Sequence, residues 1–88
     1  MPQLHCTVVT PERTALDQSV DFVALPLLDG EIGIAPGRSP LVGRIGFGEM
    51  RIRSGDQLTR WYLDSGFVQV QGDEVCVLTD LAIPAAEL

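Results

Sequence analysis

Residues 50–79 read MRIRSGDQLTRWYLDSGFVQVQGDEVCVLT, and apolar and polar side chains alternate through most of the run. Met50-Arg51-Ile52-Arg53 repeats at a period of two, the spacing that sets one face of a strand on a core and the other in water. Ser54-Gly55-Asp56 reverses the chain, and 57–63 runs back carrying Trp61 and Tyr62. Phe67-Val68-Gln69-Val70-Gln71 alternates again, and Gly72-Asp73 turns it into Glu74-Val75-Cys76-Val77-Leu78-Thr79. Two tandem hairpins with no helical spacer argue for antiparallel pairing and an all-β fold.

Outward from this run the same period holds. Leu4-His5-Cys6-Thr7-Val8 alternates until Thr10-Pro11-Glu12-Arg13 breaks it. Val20-Asp21-Phe22-Val23-Ala24-Leu25 predicts a second strand, stopped by Pro26. Leu28-Asp29-Gly30 predicts a turn, and Glu31-Ile32-Gly33-Ile34 a short extended piece ended by Pro36-Gly37. Gly43, Gly46 and Gly48 mark bulges or close backbone approach. Only 81–88 has helical potential, and Pro84 interrupts it. Roughly eight or more short strands with frequent turns describe a sandwich or barrel. No repeat, linker or low-complexity stretch divides the chain, so 1–88 reads as a single domain.

Composition narrows the function classes. The chain has 88 residues, 45% hydrophobic and 20% charged, a globular balance. Its net charge is −6, and every one of its six cations is arginine. So few dispersed cations give no footprint for a phosphate backbone or an anionic membrane surface. The longest apolar stretch, 22–28, is far short of the ~20 residues that cross a bilayer. The N-terminus lacks the basic and apolar regions of a secretory signal, which places the chain in the cytoplasm or an equivalent compartment. Cys6 and Cys76 lie in strand-like runs where free cysteine acts as a small hydrophobe, and with one histidine they cannot build a closed zinc site.

Catalytic and cofactor motifs are wanting. A chain without lysine cannot supply a Walker loop, and Gly46-Phe47-Gly48-Glu49-Met50-Arg51 puts arginine where a dinucleotide fingerprint needs its third glycine. His5 has the outward parity of its strand, a solvated position. Ser19, Ser39, Ser54 and Ser65 are turn residues outside any nucleophile elbow, and Asp17, Asp21, Asp29 and Glu31 lack calcium-loop spacing. The expectation is therefore a non-enzyme with no cofactor and no metal. Trp61, Tyr62 and Phe67 are the sequence material for the alternative, a free-standing sandwich that binds a small ligand.

One run stands apart. From Gly30, Glu31, Ile32, Gly33 and Ile34 through Pro36, Gly37, Arg38, Ser39 and Pro40 to Leu41, apolar residues sit beside charges of both signs on a chain stiffened by two prolines. Ile32, Ile34 and Leu41 either pack under a sandwich rim or face a partner. A stiff loop loses little entropy on docking, which suits an interface.

Across nearly its whole length the chain resembles the N-terminal β-sandwich domain of the epsilon subunit of F-type ATP synthase, called delta in mitochondria. The resemblance rests on Val8-Val9-Thr10-Pro11-Glu12-Arg13, Val20-Asp21-Phe22-Val23, Gly30-Glu31-Ile32-Gly33-Ile34, Pro36-Gly37-Arg38-Ser39-Pro40-Leu41, Met50-Arg51-Ile52-Arg53, Ser65-Gly66-Phe67-Val68-Gln69-Val70 and Val75-Cys76-Val77-Leu78-Thr79-Asp80, in order. It implies a flattened antiparallel β-sandwich of about ten strands. It also implies a non-catalytic part of the central stalk that binds the gamma subunit over the apolar side of the sandwich. The residues of 30–40 named above would rest on the polar loops of the c-ring, with Glu31 meeting a basic group there and Arg38 flanking it. The family commonly has histidine at the position of Arg38 and alanine at that of Ser39, so pairing at this point differs here. Localisation would be peripheral, at the cytoplasmic face of the inner membrane through the c-ring. Many members continue into a helical hairpin that blocks ATP hydrolysis, and residues 80–88 reach only its join, so no intrinsic inhibition is expected.

Overall fold

A computed structural model describes residues 2–87. Eight strands follow one another: β1 Leu4–Val9, β2 Thr14–Val20, β3 Phe22–Leu27, β4 Gly30–Ile34, β5 Leu41–Ile45, β6 Gly48–Ser54, β7 Gln57–Gln71 and β8 Glu74–Pro84. A 3-10 turn, Ala85–Glu87, closes the described chain. The fold is all-β, as the period-two pattern requires, and the strands belong to one continuous sheet that folds over on itself.

The folding-over happens within the β7–β8 hairpin. β7 has 15 residues and β8 has 11, too long for one layer of so small a sandwich. The first part of β7 pairs with β6 from Gly48↔Leu63 to Ser54↔Gln57, and its second part pairs with β5 from Ile45↔Gly66 to Leu41↔Val70. β8 pairs with β1 over Glu74 to Leu78, then continues against Asp64 to Trp61. One layer therefore runs β2-β1-β8-β7-β5, and the other runs β4-β3-β6-β7-β8. The structure has eight strands where the resemblance implies about ten, with β7 and β8 each serving both layers.

Gly66 marks the bend. Its φ is +128°, and a Cβ there would lie 2.0 Å from the Leu78 carbonyl oxygen, so only glycine fits. Ser65 beside it also has a positive φ, of 56°. Thr79, buried at this crossing, is satisfied locally: its hydroxyl contacts the Ser65 carbonyl at 2.6 Å and the Leu81 carbonyl at 3.1 Å.

Inward positions fill the core. Leu4, Cys6 and Val8 of β1, with Val68, Val70, Val75 and Val77, face Val23, Leu25, Ile34, Met50, Ile52, Trp61 and Leu63. Both cysteines are free. Burial pushes the Cys6 thiol up to about 12, with the neighbouring Cys76 adding to the rise.

Four local expectations need correction. β1 and β8 pair in parallel, so the sheet is mixed rather than wholly antiparallel. β2 is a strand the alternation did not reveal, because Thr14–Val20 lies at the edge of its layer and most of its side chains meet water. Pro26 does not stop β3, which runs to Leu27; its carbonyl still accepts a hydrogen bond from the Gly46 amide at 2.9 Å. The helical potential of 81–88 yields strand as far as Pro84, because Leu81, Ala82, Ile83 and Pro84 are paired to β7; Leu88 lies outside the described residues.

Candidate functional site

Two regions of the surface offer themselves to partners. The first is β4 and the loop after it. β4 is the outer strand of its layer, so one side of its backbone is unpaired. Along it Gly30, Glu31 and Gly33 are exposed, Ile32 is half-buried and Ile34 is fully buried. The choice left open for the apolar rim resolves toward packing: Ile34 belongs to the core, and Ile32 and Leu41 lean on it. What this edge presents is backbone and charge.

Glu31 is not a lone carboxylate. Arg51 reaches over β3 from β6 and donates from Nη2 to Glu31 Oε1 at 2.6 Å, while its Nη1 lies 3.9 Å from Glu49 Oε1. Ala24 pairs in register with both Gly33 and Arg51, and although it points outward it is only 3% exposed. A little further along, the Phe22 ring lies over Gly33, where a Cβ would come within 2.8 Å of it, and the Arg53 guanidinium stands 5.7 Å from the ring centroid.

The loop continues through half-buried Pro36 to exposed Gly37, Arg38, Ser39 and Pro40. The Gly37 amide donates to Asp73 of the β7–β8 turn at 3.4 Å. Glu31 stands near the start of β4 and Arg38 in the turn beyond its end, and the strand from Glu31 to Ile34 alone spans about 10 Å at ~3.3 Å per residue. They form one continuous edge, but not a contiguous pair. At the same end as Arg38, Asp21 accepts hydrogen bonds from the Gly55 amide at 2.7 Å and from Gln3 at 3.2 Å. The Gly55 bond above all, then the Gln3 bond, holds its carboxyl below the usual carboxylate range.

The second region is the outer face of the other layer. Val9 of β1, Leu78 of β8, Phe67 of β7 and Arg44 of β5 are successive register partners, so their side chains form a row across four strands. Phe67 is 52% exposed and Leu78 51%. With Leu28 they wall a groove of about 520 Å³. Arg44 lies 6.0 Å from the Phe67 ring centroid on one rim, and on the other Asp80 is held by the Ser65 hydroxyl at 2.9 Å. Sequence reasoning named Phe67 only as material for a small-ligand site and did not join it to Val9, Leu78 and Arg44. The signal was parity: Val75, Val77 and Thr79 point inward, which leaves Leu78 an apolar side chain on the outward register.

The remaining candidates fall apart as sites. Trp61 is 7% exposed and faces the core, whereas Phe67 faces out of the opposite layer, so the aromatics do not wall a common ligand pocket. His5 is exposed, and its Nε2 lies 2.5 Å from Asp17 Oδ1 across β1 and β2. Among the described residues no three or more His, Cys, Asp or Glu gather to hold a metal, and no helix is long and apolar enough to cross a membrane.

Residues 3–85 match the family model described as ATP synthase, Delta/Epsilon chain, beta-sandwich domain. The chain is 52% identical over 81 residues to an ATP synthase epsilon chain of Rhodopirellula baltica, covering 92% of this chain and 63% of that one. It is 36% identical over 89 residues to an ATP synthase epsilon chain of Granulibacter bethesdensis, covering 100% of this chain and 66% of the other. The chain therefore spans a little under two thirds of the length of these curated relatives. In fold it matches a chain of the Euglena gracilis mitochondrial ATP synthase OSCP/F1/c-ring structure, with a TM-score of 0.93 at 23% identity over 100% of this chain and 57% of that one. A chain of the Tetrahymena thermophila mitochondrial ATP synthase central stalk and c-ring superposes with a TM-score of 0.80 at 12% identity, over 93% of this chain and 66% of the other. With the matched segment taking in all eight strands, this chain belongs to the family of ATP synthase delta/epsilon chain β-sandwich domains.

Proposed function

We propose that this chain is the coupling sandwich of a rotary ATP synthase central stalk, a non-catalytic part that fastens the gamma subunit to the c-ring. The observation that carries this is the pairing of two unlike surfaces on one stiff body: an exposed apolar row over Leu78 and Phe67, and a charged, half-unpaired edge at β4. The apolar groove suits a lasting contact with gamma, since buried apolar area gives most of the affinity of an obligate interface. The edge and the loop to Pro40 suit the polar loops of the c-ring, with Glu31 meeting a basic group. Torque then passes through the sandwich during proton- or sodium-driven synthesis, and no residue here performs bond chemistry. The location is peripheral, on the cytoplasmic face of the membrane that holds the ring.

The groove and the edge are separately testable. The chain should co-elute with gamma in gel filtration, and Leu78→Asp should weaken that association about 100-fold. An exposed position should tolerate the change, with the unfolding free energy moving by no more than about 0.5 kcal/mol. Glu31→Arg should leave gamma binding intact while lowering proton pumping driven by ATP in the reconstituted complex. Failure to associate with gamma at all would end the proposal.

A further inference from the structure

We propose that Arg51 is the positioning residue for Glu31, fixing one oxygen of the carboxylate so that the other is aimed at the cation the ring presents. The inference rests on the c-ring contact proposed above. Glu31 stands on the outermost strand with half of its side-chain surface open, a place where a glutamate has several rotamers to lose on docking. Arg51 removes that freedom in advance. Its Nη2 holds Oε1 at 2.6 Å, and Oε2 has no hydrogen-bond partner among the described residues. The side chain making this bond crosses β3, where the register partner of Arg51 is Ala24, which points outward yet is only 3% exposed.

A guanidinium beside the carboxylate also repels an approaching cation, so the balance of charge decides the sign. Arg51 has two carboxylates near it, Glu31 and, more loosely, Glu49 at 3.9 Å. Two negative groups against one positive leave the cluster with one negative charge, enough to attract a single lysine or arginine. Arg60 is the register partner of Arg51 on β7 and stands three strand spacings from Glu31, about 14 Å between backbones, one spacing further than Glu49. Arg53 is turned to the Phe22 ring. Preorganisation therefore outweighs repulsion at Glu31.

Because Arg51 acts through Glu31, its effect should vanish when Glu31 is gone. The experiment measures binding of the chain–gamma complex to detergent-solubilised c-ring in a double-mutant cycle. Glu31→Gln should weaken binding about tenfold, as loss of a charged contact does. Arg51→Met should weaken it about threefold through restored rotamer freedom, and the double variant should be no weaker than Glu31→Gln alone. Methionine keeps an apolar stem over Ala24, and thermal unfolding of each variant checks that the fold is retained. Arg51→Lys, which restores the charge, should return binding to within about twofold of the native chain. Multiplying penalties in the double variant would mean that Arg51 touches the ring itself, and tighter binding by Arg51→Met would make it a competitor; either overturns the inference. If Glu31→Gln weakens binding and Arg51→Met does not, only the role of Arg51 falls. If Glu31→Gln changes nothing while gamma still co-elutes, the ring contact falls and Arg51 with it.

Discussion

The groove over β7 and β8 and the edge at β4 are made of opposite materials. The groove is centred on β8 and β7, each paired on both sides, so it offers mainly side chains, apolar at Leu78 and Phe67 and charged only at the rims, Arg44 and Asp80. The edge has unpaired backbone, one half-buried isoleucine and an ion pair, and its apolar residues turn inward. A groove of this kind binds through area removed from water, with little regard to direction. An edge of this kind binds through aimed charges and hydrogen bonds, which set orientation and register more than affinity. A part that must grip one neighbour while following the motion of another is well served by having one of each.

Both surfaces depend on the bend at Gly66, and breaking it should have the largest effect. Gly66→Ala sets a Cβ 2.0 Å from the Leu78 carbonyl and forces alanine to a φ of +128°. Either the hairpin unbends or the layers part, and the cost should be about 3 kcal/mol or more, read as a fall in the midpoint of urea unfolding. An unchanged midpoint would show that the layers are held together without the bend, and that groove and edge are less tied than the fold implies. Next in size is Ile34→Ala, which empties a wholly buried site and should cost about 3 kcal/mol, against about 1 kcal/mol for Ile32→Ala two residues away. Equal losses would mean that the edge does not divide into a packed end and an open one.

How far this division could be read from the sequence depended on what each residue was packed against. Alternation in Met50-Arg51-Ile52-Arg53 and Phe67-Val68-Gln69-Val70 registered the inward faces, because a strand with one face buried must repeat at two. It failed at Thr14–Val20, where an edge strand buries so little that no period is enforced. The glycine–proline run announced the β4 edge, but not that Ile34 turns into the core, since a short strand between two turns has too few residues to fix its parity. Arg51 gave no sign of its link to Glu31, which is 20 residues away in sequence and is brought close only by the order β4-β3-β6. The groove was hidden for a similar reason. Val9, Leu78, Phe67 and Arg44 become a row only through pairings made across the whole chain.

The smallest expected effect separates the two regions by acid. Asp21 pins the β6–β7 turn through the Gly55 amide and reaches back to Gln3, all at the end of the sandwich where the loop after β4 emerges. Its folded carboxyl titrates below the ordinary value of 3.8, chiefly because the charged form accepts the Gly55 bond. A group shifted in this direction contributes stability that is fully present above the unfolded value and is lost as pH falls through the lower folded one. Protection of the Gly55 amide from hydrogen exchange, corrected for the intrinsic pH dependence, should therefore fall as pH drops below the ordinary carboxylate value of 3.8 and through the lower folded one. Amides of the β7–β8 pair under the groove, such as Val77 and Val68, should keep their protection over the same interval. Asp21→Asn should flatten the Gly55 profile, since an amide accepts the bond without a charge to titrate. Loss of protection at both places together would mean that the sandwich opens as one unit, and that the edge has no local stability of its own.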